Sequence, residues 1–268
     1  MKIIIELLEE QIRNLNLIWK LSRYNLKSEY SNHYLGAFWN ILQPLMQVVI
    51  YYIVFGMGLR GNAHNGDMNY LLHLITGLFP WIFISQAINA GSNTIHAQLG
   101  LVTKMKFPSS VLLSISYVIN FINLLFTTLI IFLISYFNHF VSFGHYFEFL
   151  YFIFASYMLI FAFNLIMSTL VILIRDTKQM LQNVLRMCFF VTPIFWDANT
   201  VSPVLKVITM LNPFAYIIGI YRNAFIEGKG MLYGNITDHL YFWTFTLLLL
   251  YIGGHIHYRF KNRLVDYL

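Results

Sequence analysis

Nine histidines, eleven carboxylates and a single cysteine are among the side chains in these 268 residues that could serve as acids, bases, metal ligands or nucleophiles. Their spacing assembles none of those functions. There is no HExxH pair, and His255 and His257 lie two apart, about 200° around a helix, where they cannot share a metal as an i, i+4 pair can. Interfacial packing or hydrogen bonding is expected of both. Glu148 alone interrupts the central apolar stretch, beside the short polar turn 138–146, and is expected at the outer surface and not in a proton relay. Glu227-Gly228-Lys229-Gly230 lacks the earlier glycine and the following Ser or Thr of a Walker A loop, so the chain has no ATP-hydrolysing loop of its own. Cys188 sits in an apolar stretch without a disulfide partner and reads as a small buried hydrophobe.

The elements that would position such side chains are written in the distribution of charge. No Asp, Glu, Lys or Arg occurs over 30–59, 68–103, 107–147, 149–174 or 239–258. At about 1.5 Å per residue, some 20 apolar residues cross a hydrocarbon layer roughly 30 Å thick. Charged residues form 10% of the chain, far below the roughly 25% of soluble domains. The expected fold is all-α and integral to a membrane: an amphipathic interfacial helix over 1–30, then a six-helix transmembrane domain over 31–268. Its spans are placed at about 38–59, 69–91, 111–137, 149–174, 180–196 and 241–258. The fifth carries Arg186, which can snorkel to the headgroups. Thirteen lysines and arginines fall on the side of the termini and four on the other, so both termini are expected to be cytoplasmic in a multi-pass cell-membrane protein. The net charge of +6 is this topological signal and not a nucleic-acid footprint. No cleavable signal peptide is expected, because charges interrupt the first thirty residues.

Ile4, Leu7, Leu8, Ile12, Leu15 and Trp19 recur at helical spacing, with acidic and basic residues on other faces, as in a helix lying at the interface. Arg23 and Lys27, next to the first span, are candidates for attracting an anionic lipid head or lipid-linked phosphate. Asp197 to Asp238 holds short apolar stretches broken by Pro203 and Pro213, which predicts re-entrant half-helices and a candidate external gate. On the cytoplasmic side, Asn93 to Pro108 forms a short amphipathic element that a partner would cover. The scarcity of mid-span charge argues against an ion-coupled carrier. Aromatics, by contrast, are 18% of the chain. Interfacial belts explain Trp39, Trp196 and Trp243, whereas Tyr51, Tyr52, Phe55, Trp81, Phe83, Phe189 and Phe190 fall inside spans. Helix packing accounts for many. A passage in which rings stack on sugar faces and amides and hydroxyls give interchangeable hydrogen bonds is the functional expectation, with Trp39 and Trp196 counted among its candidates.

Leu17-Ile18-Trp19-Lys20-Leu21-Ser22-Arg23-Tyr24 and Tyr34-Leu35-Gly36-Ala37-Phe38-Trp39-Asn40-Ile41-Leu42-Gln43-Pro44, with Val54-Phe55-Gly56, resemble the opening of the permeases of polysaccharide ABC exporters. Val102-Thr103-Lys104-Met105-Lys106-Phe107-Pro108, Arg175-Asp176, Pro193-Ile194 with Trp196, Leu211-Asn212-Pro213 and Tyr221-Arg222 extend the likeness over most of the chain. Overall likeness favours wall teichoic acid translocation permeases over those for O-antigen or capsule. The resemblance implies a homodimer bound to two copies of an ABC ATP-binding subunit, which carries the ATP and Mg; no cofactor is implied on this chain. The substrate it implies is an undecaprenyl-diphosphate-linked polymer passed outward for cell-wall assembly. In that reading Gln98, Leu99, Val102, Lys104, Met105 and Phe107 form an ATPase-coupling helix, Arg175 and Asp176 support a second contact, and Arg222 joins Pro203 and Pro213 at the gate. A stand-alone carrier or a membrane scaffold is the alternative from another class.

Overall fold

Long charge-free runs with few helix breakers fold as helices because a bilayer offers no partner for free backbone N–H and C=O groups. The computed structural model describes residues 2–31, 34, 36–54, 68–98, 100, 107–141, 143–174, 176–196, 202–227 and 233–261, and no strand occurs among them. In chain order the helices are α1 (Lys2–Arg13), α2 (Leu15–Ser31), α3 (Trp39–Tyr51), α4 (Met68–Ala97), α5 (Ser109–Phe137), α6 (Glu148–Leu173), α7 (Thr177–Val191), α8 (Pro203–Met210), α9 (Pro213–Arg222) and α10 (Ile236–Lys261). Short 3₁₀ turns precede α3 and α6, and a π turn, Asn223–Glu227, continues α9.

Helices α4, α5 and α6 are each long and apolar enough to cross a membrane, and this is a multi-pass membrane protein. The remaining expected spans are built differently. Ile41–Val54 is a shorter apolar helix. The stretch expected as a fifth span is a 15-residue α7 followed by the irregular Thr192 to Trp196. Helix α10 has 26 residues, but His255 and His257 dilute its apolar character. Between them α8 and α9 meet at 87°, where Asn212 accepts the Phe214 N–H at 3.0 Å and Pro213 takes the first helical position, whose missing N–H costs nothing there.

Helix α4 is the hub, packed against α5, α6, α9, α7 and α3, while α10 lies along α6. Close approach of α4 to α6 depends on Gly91, since a Cβ there would sit 2.0 Å from the Asn164 amide nitrogen. That amide donates to the Ala87 carbonyl at 3.1 Å, so a small residue on one helix makes room for polar glue from the other. Helix α9 is buried along its whole length from Phe214 to Arg222.

The N-terminal segment is two helices joined at Asn14, whose side chain donates to the Glu10 carbonyl at 2.7 Å. Its buried stripe is Leu7, Gln11, Ile18, Ser22 and Leu26, while Ile12, Leu15 and Trp19 of the predicted apolar face are exposed. Gln11 bonds Ser110 at 2.9 Å and Ser114 at 2.7 Å, and Ser114 pairs with Tyr157 at 2.9 Å. The helix pair therefore presents one edge to the bundle, an adjacent apolar edge outward, and charged residues elsewhere.

Candidate functional site

Two clefts meet beneath α3. The larger, of about 620 Å³, lies among α3, α4 and α7; the smaller, of about 50 Å³, lies among α3, α4 and α5. Gln47, Ile82 and Gln86 line both, so they form one groove that passes under α3. Helix α3 touches α4 and α5 only lightly, unlike the tight α4–α5 and α6–α10 pairings.

The groove is lined by amides and rings. Gln43 and Gln47 come from α3, Gln86 and Asn89 from α4, Asn120 and Asn123 from α5, and Gln182 from α7. One cation, Arg186, and no carboxylate lie among these lining residues. Side chains three or four apart share one helical face, which is why 43/47, 86/89, 120/123/127 and 182/186 all reach the same space. In the sequence the rings of the passage stood out at individual positions, the amides only as a class. Amide pairs at i, i+3 or i, i+4 inside charge-free runs were the signal available in the sequence.

Of the ring candidates, Tyr51, Trp81, Phe189 and Phe190 line the larger cleft and Phe83 the smaller. Trp81 and Phe189 have centroids 5.9 Å apart, as do Tyr51 and Phe189, so three helices contribute to one aromatic wall. Trp81 is also held edge-on by Phe214 at 5.8 Å, and Phe83 by Tyr117 at 5.4 Å. Phe190 is 66% exposed. Trp39 is exposed at the start of α3, and Tyr52 and Trp196 are half-buried; none of the three lines either cleft. Phe55 lies outside the described residues.

The other expected sites are distributed as follows. Arg23 and Lys27 are exposed on α2. Gln98 closes α4, its N–H bonded to the Thr94 carbonyl at 3.1 Å, and Asp176 is exposed ahead of α7. Phe107 packs against Ile18, Val111, Leu112 and Ile115, contacts within this chain. Leu99, Val102, Lys104, Met105 and Arg175 lie outside the described residues.

Pro203 begins α8 in an exposed position and Pro213 begins the buried α9. Arg222 is enclosed, 5% exposed, and its Nη2 donates to the Pro193 carbonyl at 3.0 Å and the His73 carbonyl at 3.3 Å. Gly77 makes space for it, for a Cβ there would meet Nη2 at 2.7 Å. This guanidinium ties the end of α9 to α4 and to the irregular backbone after α7.

Glu148, expected at the outer surface, has its carboxylate inside. It accepts from Asn223 Nδ2 and from the Tyr233 N–H, and it is 3% exposed. Those partners arrive from the far side of the 87° bend, a distance in sequence that local reading does not span. His257 bonds Ser109 at 2.9 Å, whereas His255 is exposed. No cluster of residues able to hold a metal occurs among the described residues.

The fold and the groove together define a helical multi-pass membrane protein with a cleft lined by amides, rings and one arginine. Residues 16–226 match the ABC-2 type transporter family, and the chain belongs to it. It is similar to an O-antigen export system permease protein RfbA of Myxococcus xanthus, 25% identical over 232 residues that cover 84% of this chain and 86% of that one. Two proteins of the same name from Klebsiella pneumoniae are 26% identical over 255 residues (94% and 95% coverage) and 27% identical over 251 (92% and 94%).

Proposed function

We propose that this chain is the membrane subunit of an ATP-driven exporter that passes a lipid-linked polysaccharide across the cytoplasmic membrane. The observation that carries the reading is the groove under α3. Its amides each offer weak, interchangeable hydrogen bonds and its rings offer faces on which sugars stack, so a polymer can be held without being trapped. No group of residues able to hold a metal occurs among the described residues. In this reading the energy comes from a partner ATPase that holds ATP and Mg, a partner that membership of the ABC-2 type transporter family supports.

Two copies of the chain with two ATPase subunits, six spans and cytoplasmic termini complete the assembly in this reading. The element ending at Phe107, with Arg175 and Asp176, seats the ATPase. Arg23 and Lys27 receive the lipid diphosphate, and the bent α8–α9 pair stands at the outer exit. Wall teichoic acid is the polymer assigned first, on the likeness of the Lys-Met-Lys-Phe-Pro segment. An O-antigen-type glycan is the second reading, supported by the names of the three relatives and by the nearly uncharged lining.

Reconstitution of the chain with its ATPase in vesicles tests both. Uptake of an undecaprenyl-diphosphate-linked glycerol-phosphate polymer on ATP addition supports the first assignment, and uptake of a neutral lipid-linked glycan alone supports the second. A purified chain that transports either without any ATPase overturns the exporter reading in favour of a carrier.

A further inference from the structure

The lining of the larger cleft carries a single charge. Arg186 stands about 14 Å along α7 from Thr177, on the cleft side of the helix with Gln182 one turn before it and Phe190 one turn after. A guanidinium inside an apolar segment is costly unless it is paired or hydrogen-bonded. Arg222 meets that condition inside the fold, on two backbone carbonyls. Arg186 does not: no carboxylate lies among the lining residues, and its guanidinium makes no hydrogen bond or ion pair with a described residue. Its donors are open to whatever occupies the cleft.

The neighbouring polar groups narrow the ligand. Across the cleft, Ser85 Oγ donates to the Ile82 carbonyl at 3.0 Å and Asn89 Nδ2 to the Ser85 carbonyl at 2.9 Å, so both are already bonded along α4. Gln86 and Gln182 have no such partner among the described residues, and their N–H groups stand with the Arg186 fork as donors. A guanidinium fork flanked by amide donors fits the oxygens of a phosphate, whereas sugar hydroxyls bring it no counter-charge. The cleft volume of about 620 Å³ is that of a small-molecule site, and Trp81 and Phe189 wall the space beside the arginine. One cation among neutral amides also holds an anion weakly enough to release it, as a passage requires.

Resting on the exporter reading above, we infer that Arg186, with Gln86 and Gln182, binds phosphate groups within the passing polymer and so selects phosphodiester-bearing chains over neutral glycans. This station is separate from Arg23 and Lys27, to which the carrier diphosphate is assigned. Arg186 is thus a specificity-determining residue, and it favours the first of the two polymer assignments.

The test uses the intact complex of this chain with its ATPase in lipid nanodiscs, as wild type, Arg186→Gln and Arg186→Lys. Two radiolabelled probes share one undecaprenyl-diphosphate-linked neutral disaccharide; one ends there and the other continues into a short run of glycerol-phosphate units. Binding and the concentration for half-maximal ATPase stimulation are measured for each. The wild type should bind the glycerol-phosphate probe several-fold more tightly than the neutral one. Arg186→Gln should weaken that probe about tenfold in both readouts, as the loss of one charge-assisted hydrogen bond implies, while moving the neutral probe less than about twofold. Arg186→Lys keeps the charge without the fork and should recover part of the loss. Equal shifts for both probes would place the phosphate read by Arg186 on the carrier and overturn its role in choosing the polymer. Unchanged values for both probes overturn the station altogether, and an Arg186→Gln chain that no longer assembles with the ATPase makes the residue an assembly contact and overturns it as well. All three outcomes leave the exporter reading intact. If the wild-type complex moves neither probe into vesicles, the exporter reading itself fails, whereas Arg186-dependent binding of the glycerol-phosphate probe would still mark a phosphate site.

Discussion

Arg222 shows how a single residue changes meaning once its surroundings are known. From the sequence it was a gate candidate; in the fold its guanidinium satisfies two backbone carbonyls at the joint of α4, α9 and the irregular backbone following α7. Hydrogen bonds from a charged donor contribute about 1.5–3 kcal/mol each, so Arg222→Met should lower thermal stability in detergent markedly, with Arg222→Lys restoring part of it. Fluorescence-detected size exclusion after heating reads this directly. An Arg222→Met protein of unchanged stability that no longer transports would return the residue to a gating role. Gly77→Ala tests the same joint from the other side, since the new methyl meets both Nη2 and the Ile194 backbone, at 2.7 and 3.1 Å. Its melting temperature should fall, although alanine is the better helix former. The groove amides carry the complementary lesson: their spacing was legible, but only the packing of α3 over α4 and α5 shows that they converge.

At the scale of elements, the α8–α9 corner and the docked N-terminal helices each hang on a few polar contacts. Asn212 caps α9 and donates to Thr192 Oγ1 at 2.8 Å, fastening the corner to the end of α7. Asn212→Ala should cost about 1–2 kcal/mol and raise hydrogen exchange first at Phe214 and its neighbours. Exchange that rises uniformly over the whole bundle would contradict such a local role. For the N-terminal pair, Gln11→Leu removes bonds to Ser110 and Ser114 while keeping the helix pattern. Faster proteolysis within 2–31, with the rest of the chain still protected, is the expected result. Period alone placed Ile12, Leu15 and Trp19 on the apolar face. It could not say that a neighbouring edge, with Gln11 and Ser22 on it, is the one that docks.

For the whole molecule, the groove should control passage without controlling assembly. Trp81→Ala and Phe189→Ala remove opposite parts of one aromatic wall, so each should reduce transport several-fold while the complex still assembles and keeps its basal ATPase rate. Loss of assembly would make the wall structural only. That the chain is helical and multi-pass was legible in local composition, because a bilayer penalises charge and free backbone wherever they occur. The orientation signal, the proline-started half-helices and the resemblance to polysaccharide permeases were likewise present in the residues themselves. Which rings wall a cleft and which merely pack, where Arg222 and Glu148 point, and that seven amides from four helices share one groove were decided by tertiary structure. Those properties depend on contacts between residues dozens of positions apart, and helix packing sets them where periodicity along a single helix cannot.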